Sequence, residues 1–158
     1  MLNKYKRIVI DVDGVMTKPY FMYTRFGKAA KFFSADDKEA VELASRYYQI
    51  HFVTADFRGL KISKKRIIKD MKQKLSLVSA NERKSWIEKL GDTSETVYIG
   101  DSFTDISIFK VVGKSYCPSD ANHFLKPFAA KILISKGGER AVAEMCLDLL
   151  IEEGKITF

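Results

Sequence analysis

The sequence predicts a three-layer α/β protein, with a mainly parallel sheet between two layers of helices. The first indication is that short apolar runs alternate with segments of helical periodicity along the chain. The second is that most of these runs are continuously apolar, as in strands buried on both faces. Such alternation is typical of parallel sheets with right-handed crossovers. The length of 158 residues suits one domain, which we expect to span 1–158 and to bury roughly 70% of its unfolded surface.

The elements follow in order along the chain. The apolar run 8–10 predicts a first strand at about 6–11. A hairpin comes next, because the aromatic-rich run 20–23 turns at 25–27 and returns through 28–33. Further apolar runs predict strands at about 50–54, 74–78, 96–101, 115–117 and 131–134. Helical periodicity predicts helices at about 37–48, 60–72, 83–90, 103–112 and 138–152.

Two carboxylates follow the first strand, in the segment Asp11-Val12-Asp13-Gly14-Val15-Met16-Thr17. Open α/β sheets bind ligands at the carboxyl ends of their strands. An Asp-x-Asp pair there could supply a nucleophile, an acid/base group and hard oxygen ligands for Mg²⁺. Gly14 would permit a tight turn beside a phosphate. The alternative interpretation is a solvated aspartate pair at a strand end, followed by a turn glycine.

Three later segments carry further candidates. Thr54 ends the run 50–53, although a threonine there is also a common strand former or helix cap. Lys84 precedes a helical pattern, and by itself it could be an ordinary surface lysine. Asp101 follows the apolar run 97–99. Asp105, four residues later, could instead stabilise the first turn of a helix through its dipole.

The order Asp-x-Asp-Gly-x-Thr, strand and Thr, Lys, then Gly-Asp-x-x-x-Asp resembles the four-motif signature of the haloacid dehalogenase superfamily. The resemblance implies a Rossmann-like fold in which the first strand lies between the strands that end at Thr54 and Asp101. All four motifs would then meet around one crevice. The intervals between the motifs leave no room for a cap domain, so we expect a capless fold with a hairpin inserted after the first strand.

Within that superfamily the chain resembles the 3-deoxy-D-manno-octulosonate 8-phosphate and nonulosonate 9-phosphate phosphatases. The closer features are Phe33-Ser34-Ala35-Asp36 after the hairpin and the glycine-rich segment that begins Gly137-Gly138-Glu139-Arg140. Departures from the family pattern border the expected substrate pocket and are Lys18-Pro19, Ala55-Asp56 and Glu139-Arg140. The resemblance implies a phosphatase that acts on a phosphorylated sugar acid, in lipopolysaccharide biosynthesis for the octulosonate enzymes.

The resemblance also implies a role for each site residue. Asp11 would be the nucleophile that forms an aspartyl-phosphate, and Asp13 the acid and base. Asp11, Asp101 and the backbone carbonyl of Asp13 would hold Mg²⁺. Thr54 and Lys84 would bind the phosphoryl oxygens, and Asp105 would orient Lys84 or metal-bound water. Arg140 would contact the substrate.

The composition indicates whether nucleic acid or a membrane is an expected partner. The net charge of +7 could favour nucleic acid, but the lysines of 61–74 alternate with apolar residues at helical spacing, which indicates one solvated helix face. We therefore expect no nucleic acid partner and attribute the charge to attraction of anionic substrates. No run is long enough for a membrane span or a signal peptide, so we expect a cytoplasmic protein. Cys117 and Cys146 are expected to be buried thiols.

A homotetramer is the expected assembly. Without a cap, we expect one chain to offer nothing that excludes water or grips the sugar, and an isolated hairpin is marginally stable. In the resembling family, hairpins assemble a tetramer and the C-terminal tail reaches a neighbouring site, which points to Arg140 and 154–158. Two alternatives stay open: a broad-specificity or other sugar phosphatase, and a non-catalytic tetramerisation module of the same fold. The complete catalytic set argues against the module.

Overall fold

The structure, a computed structural model, describes residues 4–157. Within them, eight strands are present: β1 (Arg7–Asp11), β2 (Met22–Thr24), β3 (Gly27–Ala30), β4 (Gln49–Thr54), β5 (Lys74–Leu77), β6 (Thr96–Ile99), β7 (Lys114–Cys117) and β8 (Lys131–Ile132). The α-helices are α1 (Asp36–Ala44), α2 (Leu60–Lys64), α3 (Ala80–Leu90), α4 (Ile106–Phe109) and α5 (Ala141–Glu152). A wider helical turn, Lys65–Asp70, extends α2. Residue 158, the end of the expected tail, lies outside the described residues.

The main sheet has the order β5-β4-β1-β6-β7-β8, and each neighbouring pair is parallel. β1 is therefore central, between β4 and β6, as the resemblance to the superfamily implied. The strand order reverses direction beside β1, which creates a crevice at the carboxyl edge of the sheet. The hairpin of β2 and β3 is antiparallel and separate from this sheet.

Alternate residues of β1 face opposite layers, because side chains alternate along a strand. Ile8 and Ile10 are fully buried in a cluster that includes residues of α1 and α5. Val9 belongs to a second cluster, which includes Ile87 of α3 and Ile108 of α4. This double burial explains why the strand is continuously apolar, and it anchors the residue that follows the strand at a rigid edge.

The predicted strands and helices are all present, with shifted ends. The start of α5 is shifted by three residues, since the helix was expected from residue 138 and begins at Ala141. Gly138 has φ +70° and Arg140 has φ +74°. These values lie outside the right-handed helical region, so the helix cannot begin before residue 141.

Two compositional expectations can be compared with the structure directly. Cys117 and Cys146 are both free and buried, as predicted. Among the described residues, no helix combines the length and apolar character needed to cross a bilayer.

Candidate active site

Parallel neighbouring strands bring the predicted motifs to one edge of the sheet. Asp11 ends β1, Thr54 ends the adjacent β4, and Asp101 follows β6 on the other side. The carboxylate of Asp11 is oriented locally, since its Oδ1 accepts a hydrogen bond from the Val12 amide at 2.8 Å. Three of the four motifs thus converge on the crevice beside β1.

The turn after β1 approaches Asp101 closely. Gly14 has φ +87°, and a Cβ atom placed on it would lie 2.0 Å from Oδ2 of Asp101. Only glycine satisfies both the backbone angle and the space. Gly14 therefore lets the loop that carries Asp13 pack against the carboxylate of Asp101.

A pair of glycines, Gly137 and Gly138, supports this turn from behind. A Cβ on Gly137 would lie 1.9 Å from the carbonyl oxygen of Gly14. The amide of Gly138 donates to the Val15 carbonyl at 2.9 Å, and the Gly137 amide donates to Oδ1 of Asp120, also at 2.9 Å. The glycine-rich segment before α5 thus holds the turn that carries Asp13 in place.

Three carboxylates form a possible metal site. Oxygen atoms of Asp11, Asp101 and Asp105 all lie within 4.8 Å of one another. Burial raises the pKa of Asp11, assisted by Asp105 and Asp101, while Arg83 opposes the shift. Burial likewise raises the pKa of Asp101 to about 7, again assisted by Asp105. Buried carboxylates crowded in this way are the hard oxygen donors that suit Mg²⁺, and a cation would offset their mutual repulsion.

The cation beside this cluster is Arg83, on the first turns of α3. Its Nη1 lies 3.0 Å from Oδ2 of Asp11 and 3.5 Å from Oδ1 of Asp105. The residue is 4% exposed, and its Nε is buried without a hydrogen-bond partner. Oδ1 of Asp105 also accepts from the Tyr98 hydroxyl at 2.8 Å, and Oδ2 accepts from the Ser102 amide at 3.1 Å. Asp105 is therefore held as a support for Arg83.

The structure corrects the expectation for Lys84. Its Nζ lies 3.3 Å from Glu88, its side chain is 42% exposed, and it does not line the cavity beside Asp11. Successive residues of an α-helix point about 100° apart. When Arg83 faces the sheet, Lys84 consequently faces away from it, and the position expected for a lysine is filled by arginine.

Asp13 and Thr54 contact each other directly. The Thr54 hydroxyl donates to Oδ2 of Asp13 at 2.7 Å, and it accepts from the Asp56 amide at 3.0 Å. Oδ1 of Asp13 accepts from Nζ of Lys31 at 2.6 Å. Lys31, which the sequence did not single out, thus joins the site from the position directly after β3, the returning strand of the hairpin.

A cavity of about 430 Å³ opens over these residues. Pro19, Phe21 and Lys28, from the hairpin region of the same chain, line one side of it. Lys28 is nearly buried, 2.6 Å from Oδ2 of Asp56 and 3.4 Å from the centre of the Phe21 ring. The chain itself therefore supplies one wall of the cavity, from the base of the hairpin. That a neighbouring subunit completes the pocket stays a prediction.

Arg140 does not line this cavity. Its side chain is 71% exposed, and its Nε lies 2.5 Å from Oδ2 of Asp36. Within one chain, Arg140 pairs with the N-terminal turn of α1. Its contact with substrate in the site of a neighbouring subunit stays a prediction.

Comparison with known proteins identifies relatives of similar length. Residues 25–145 match a family model described as haloacid dehalogenase-like hydrolase. The 3-deoxy-D-manno-octulosonate 8-phosphate phosphatase of Haemophilus influenzae is 30% identical, over 98% of this chain and 87% of its own. The same enzyme of Escherichia coli K12 is 28% identical, over 94% and 81%.

Solved structures agree with these matches. The cobalt-bound phosphatase of Haemophilus influenzae superposes with a TM-score of 0.83 at 27% identity, covering 98% of this chain and 92% of that one. A Moraxella catarrhalis phosphatase, in complex with magnesium, phosphate and a KDO molecule, has a TM-score of 0.84 at 19% identity, covering 98% and 90%. At that identity the second structure supports the fold alone.

Proposed function

Because the chain belongs to the haloacid dehalogenase-like hydrolases, we propose that it hydrolyses a phosphorylated 2-keto-3-deoxy sugar acid. Its family and its phosphatase relatives make it a phosphoric monoester hydrolase. The proposed substrate is 3-deoxy-D-manno-octulosonate 8-phosphate or a nonulosonate 9-phosphate. The observation that carries the proposal is Asp11 itself, a buried strand-end carboxylate that contacts Arg83, with Asp13 two residues away on the same turn.

The first chemical step is phosphoryl transfer to Asp11. A carboxylate oxygen of Asp11 attacks phosphorus, and the bond between phosphorus and the sugar oxygen breaks. Asp13 donates a proton to that leaving oxygen, since an alkoxide is a poor leaving group. Asp13 then takes a proton from the water that attacks the aspartyl-phosphate, so that Asp11 and inorganic phosphate are released.

Mg²⁺ is the proposed metal, held by Asp11, Asp101 and the backbone carbonyl of Asp13. When bound, it would neutralise phosphoryl charge and let two anions approach each other. Asp105 also belongs to the carboxylate cluster, but the hydrogen bonds to both of its oxygens favour the supporting role. Arg83 takes up transition-state charge in the role expected of Lys84, and Thr54 binds a phosphoryl oxygen once its hydroxyl is released from Asp13.

A broad-specificity sugar phosphatase is the second candidate. The observation that favours it is Asp56, whose carboxylate is already engaged by Lys28 and Lys31 on the wall of the cavity. An engaged carboxylate offers less direct recognition of a particular sugar than a free side chain does.

A panel of phosphate esters tests the choice between these two functions. The panel contains 3-deoxy-D-manno-octulosonate 8-phosphate, a nonulosonate 9-phosphate, glucose 6-phosphate and ribose 5-phosphate, each with Mg²⁺. We expect kcat/KM to be at least about tenfold higher for the two sugar acids, because a site that pairs the substrate carboxylate discriminates against esters that lack it. Equal values across the panel would favour the broad-specificity phosphatase.

We also propose that the chain folds as one domain over 1–158, acts in the cytoplasm as a homotetramer, and needs no nucleic acid or membrane partner. The hairpin supports the assembly, since Tyr20, Met22, Tyr23 and Phe26 are between 50% and 86% exposed. Such a group of exposed apolar side chains is typical of an interface. If the octulosonate phosphate is the substrate, the product would serve lipopolysaccharide biosynthesis, as in the resembling family.

A further inference from the structure

The side chain of Lys31 is fully buried at the back of the active site. Its Nζ lies 2.6 Å from Oδ1 of Asp13, 2.8 Å from the Ser63 hydroxyl and 3.0 Å from Oδ2 of Asp56. An ammonium group has three donors, and all three have acceptors here. Burying a lysine is costly unless the charge is paired, so this arrangement holds the ammonium in one position.

We propose that Lys31 is a positioning residue that acts through Asp13. It holds Oδ1 of Asp13 and thereby leaves Oδ2 as the oxygen that exchanges a proton with the leaving group. The inference deepens the proposed function and rests on the role of Asp13 given there.

The chemistry of the two neighbours of Asp13 supports this division. Lysine can only donate a hydrogen bond, so an oxygen that contacts the Lys31 ammonium has to be the acceptor. The Thr54 hydroxyl, which contacts Oδ2, can both donate and accept. Of the two carboxylate oxygens of Asp13, only Oδ2 therefore has a neighbour that is compatible with a proton on it.

Asp56 secures the ammonium from the far side. Its Oδ1 accepts from the Gly59 amide at 3.1 Å, and its Oδ2 is shared by Lys31 and Lys28. The only carboxylate that pairs with Lys28 within the described residues is Asp56. The two lysines thus share an acceptor, but of the two only Lys31 contacts Asp13.

The leaving group provides the test. Release of p-nitrophenolate needs little protonation, whereas release of a sugar alkoxide depends on a general acid. The ratio of kcat/KM for 3-deoxy-D-manno-octulosonate 8-phosphate to kcat/KM for p-nitrophenyl phosphate therefore reports how well Asp13 donates its proton. kcat/KM is the useful quantity, because it reports the steps up to the loss of the leaving group and omits the later attack of water.

In Lys31→Met we expect this ratio to fall by about a hundredfold, the lower end of what a general acid contributes. A merely structural role would lower kcat/KM for both substrates alike, and that result would overturn the inference. Lys84→Met removes an exposed ammonium that does not line the cavity, and its ratio should stay within about threefold of wild type. If Lys84→Met lowered the ratio as much as Lys31→Met, the effect would not be specific to the ammonium that contacts Asp13, and the inference would fail.

Two more variants complete the experiment. If Lys31→Met does not fold, Lys31→Gln replaces it, because an amide can also accept and no longer keeps the proton off Oδ1. The same fall in the ratio is expected, and an unchanged ratio overturns the inference. Asp13→Asn should lower the ratio as well. If it does so while the Lys31 variants do not, the inference alone fails; if Asp13→Asn leaves the ratio unchanged, the proposed role of Asp13 fails and the inference fails with it.

Discussion

Nη1 of Arg83 lies 3.0 Å from Oδ2 of Asp11, and no other cationic side chain in residues 4–157 makes an ion pair with that carboxylate. Both groups are almost completely buried. Their attraction is consequently weakly screened by solvent and salt. The pair joins the proposed nucleophile to the one fixed positive charge beside it, and the two neighbours Arg83 and Lys84 can be compared by substitution.

Arg83→Met should lower kcat/KM for the sugar acid phosphate by about a hundredfold or more, because one preorganised charge contributes roughly 3 kcal/mol to a transition state in a water-excluded site. Lys84→Met changes the adjacent residue, whose side chain is solvated and outside the cavity, so its kcat/KM should remain within about twofold of wild type. Steady-state kinetics of both variants, with unfolding curves to verify folding, measures the difference. Equal losses would mean that position 84 carries the charge after all.

Asp11→Asn should abolish phosphatase activity without unfolding the protein. The amide keeps the shape of the side chain but cannot attack phosphorus as an anion, so the rate should fall about a thousandfold or more. Phosphate release is the measurement, and circular dichroism of the purified variant is the control. Activity near that of the wild type would refute the nucleophile assignment.

Mg²⁺ should raise the melting temperature of the wild type, since it binds the folded carboxylate cluster and not the unfolded chain. EDTA should remove both this stabilisation and the activity. The pKa of Asp101 is raised to about 7, so a proton competes with the metal below that pH and the apparent affinity should increase as the pH rises through about 7. In Asp101→Asn the thermal shift should disappear; a shift of the same size would exclude Asp101 as a ligand.

Asp37 should make stability depend on pH. The residue is fully buried in α1, its Oδ1 accepts from the Ala143 amide at 2.9 Å, and its Oδ2 has no partner. Burial raises its pKa from 3.8 to about 6. The folded state therefore binds more protons than the unfolded state between about pH 4 and 6, and this residue's contribution to stability falls as the pH rises through that window.

Asp37→Asn should accordingly be more stable than the wild type above pH 6, by up to about 3 kcal/mol. The gain should shrink towards pH 4, where the wild-type carboxyl is protonated in both states. Urea unfolding of the two proteins at several pH values gives the difference directly. A difference that does not vary with pH would contradict the assignment of the shift to Asp37.

The hairpin should mediate assembly. Tyr20, Met22 and Phe26 are exposed and do not line the cavity, so replacing all three by serine should dissociate the oligomer while sparing the site contacts of Lys28 and Lys31. Sedimentation velocity should report a tetramer for the wild type and smaller species for the triple variant. Phe124→Ser, which removes a 65% exposed aromatic side chain elsewhere, is the control. An active wild-type monomer would refute the prediction.

The fold could be predicted from the sequence because the patterns that indicate strands and helices are local. The apolar run around Val9 predicts a strand buried on both faces, and the structure has that strand at the centre of the sheet. The end of α5 is similar in prediction and structure, whereas its start differs. The positive φ angles of Gly138 and Arg140 depend on how the segment before α5 packs against the turn that carries Asp13. The identity of neither residue predicts that packing by itself.

The site was only partly predictable. Asp11, Asp13, Thr54 and Asp101 follow strand ends, and parallel strands necessarily bring such residues to one edge. Arg83 could have been found, since it lies four residues before the buried Ile87 and therefore shares its helix face. Lys31 had no such signal. It lies in a hairpin return, and its burial against Asp13 arises only when the turn after β1, α2 and the hairpin come together.

The contact between Gly137 and the carbonyl of Gly14 has a consequence for biosynthesis. A ribosome makes the turn after β1 long before it makes the glycines that support that turn. The nascent chain can pair β1 with β4 early, but it lacks the backing of the turn until residues 137 and 138 have emerged. Domains generally fold as units. We therefore expect phosphatase activity to appear only after residues 137 and 138 have emerged, so that shorter nascent chains do not hydrolyse cellular phosphate esters.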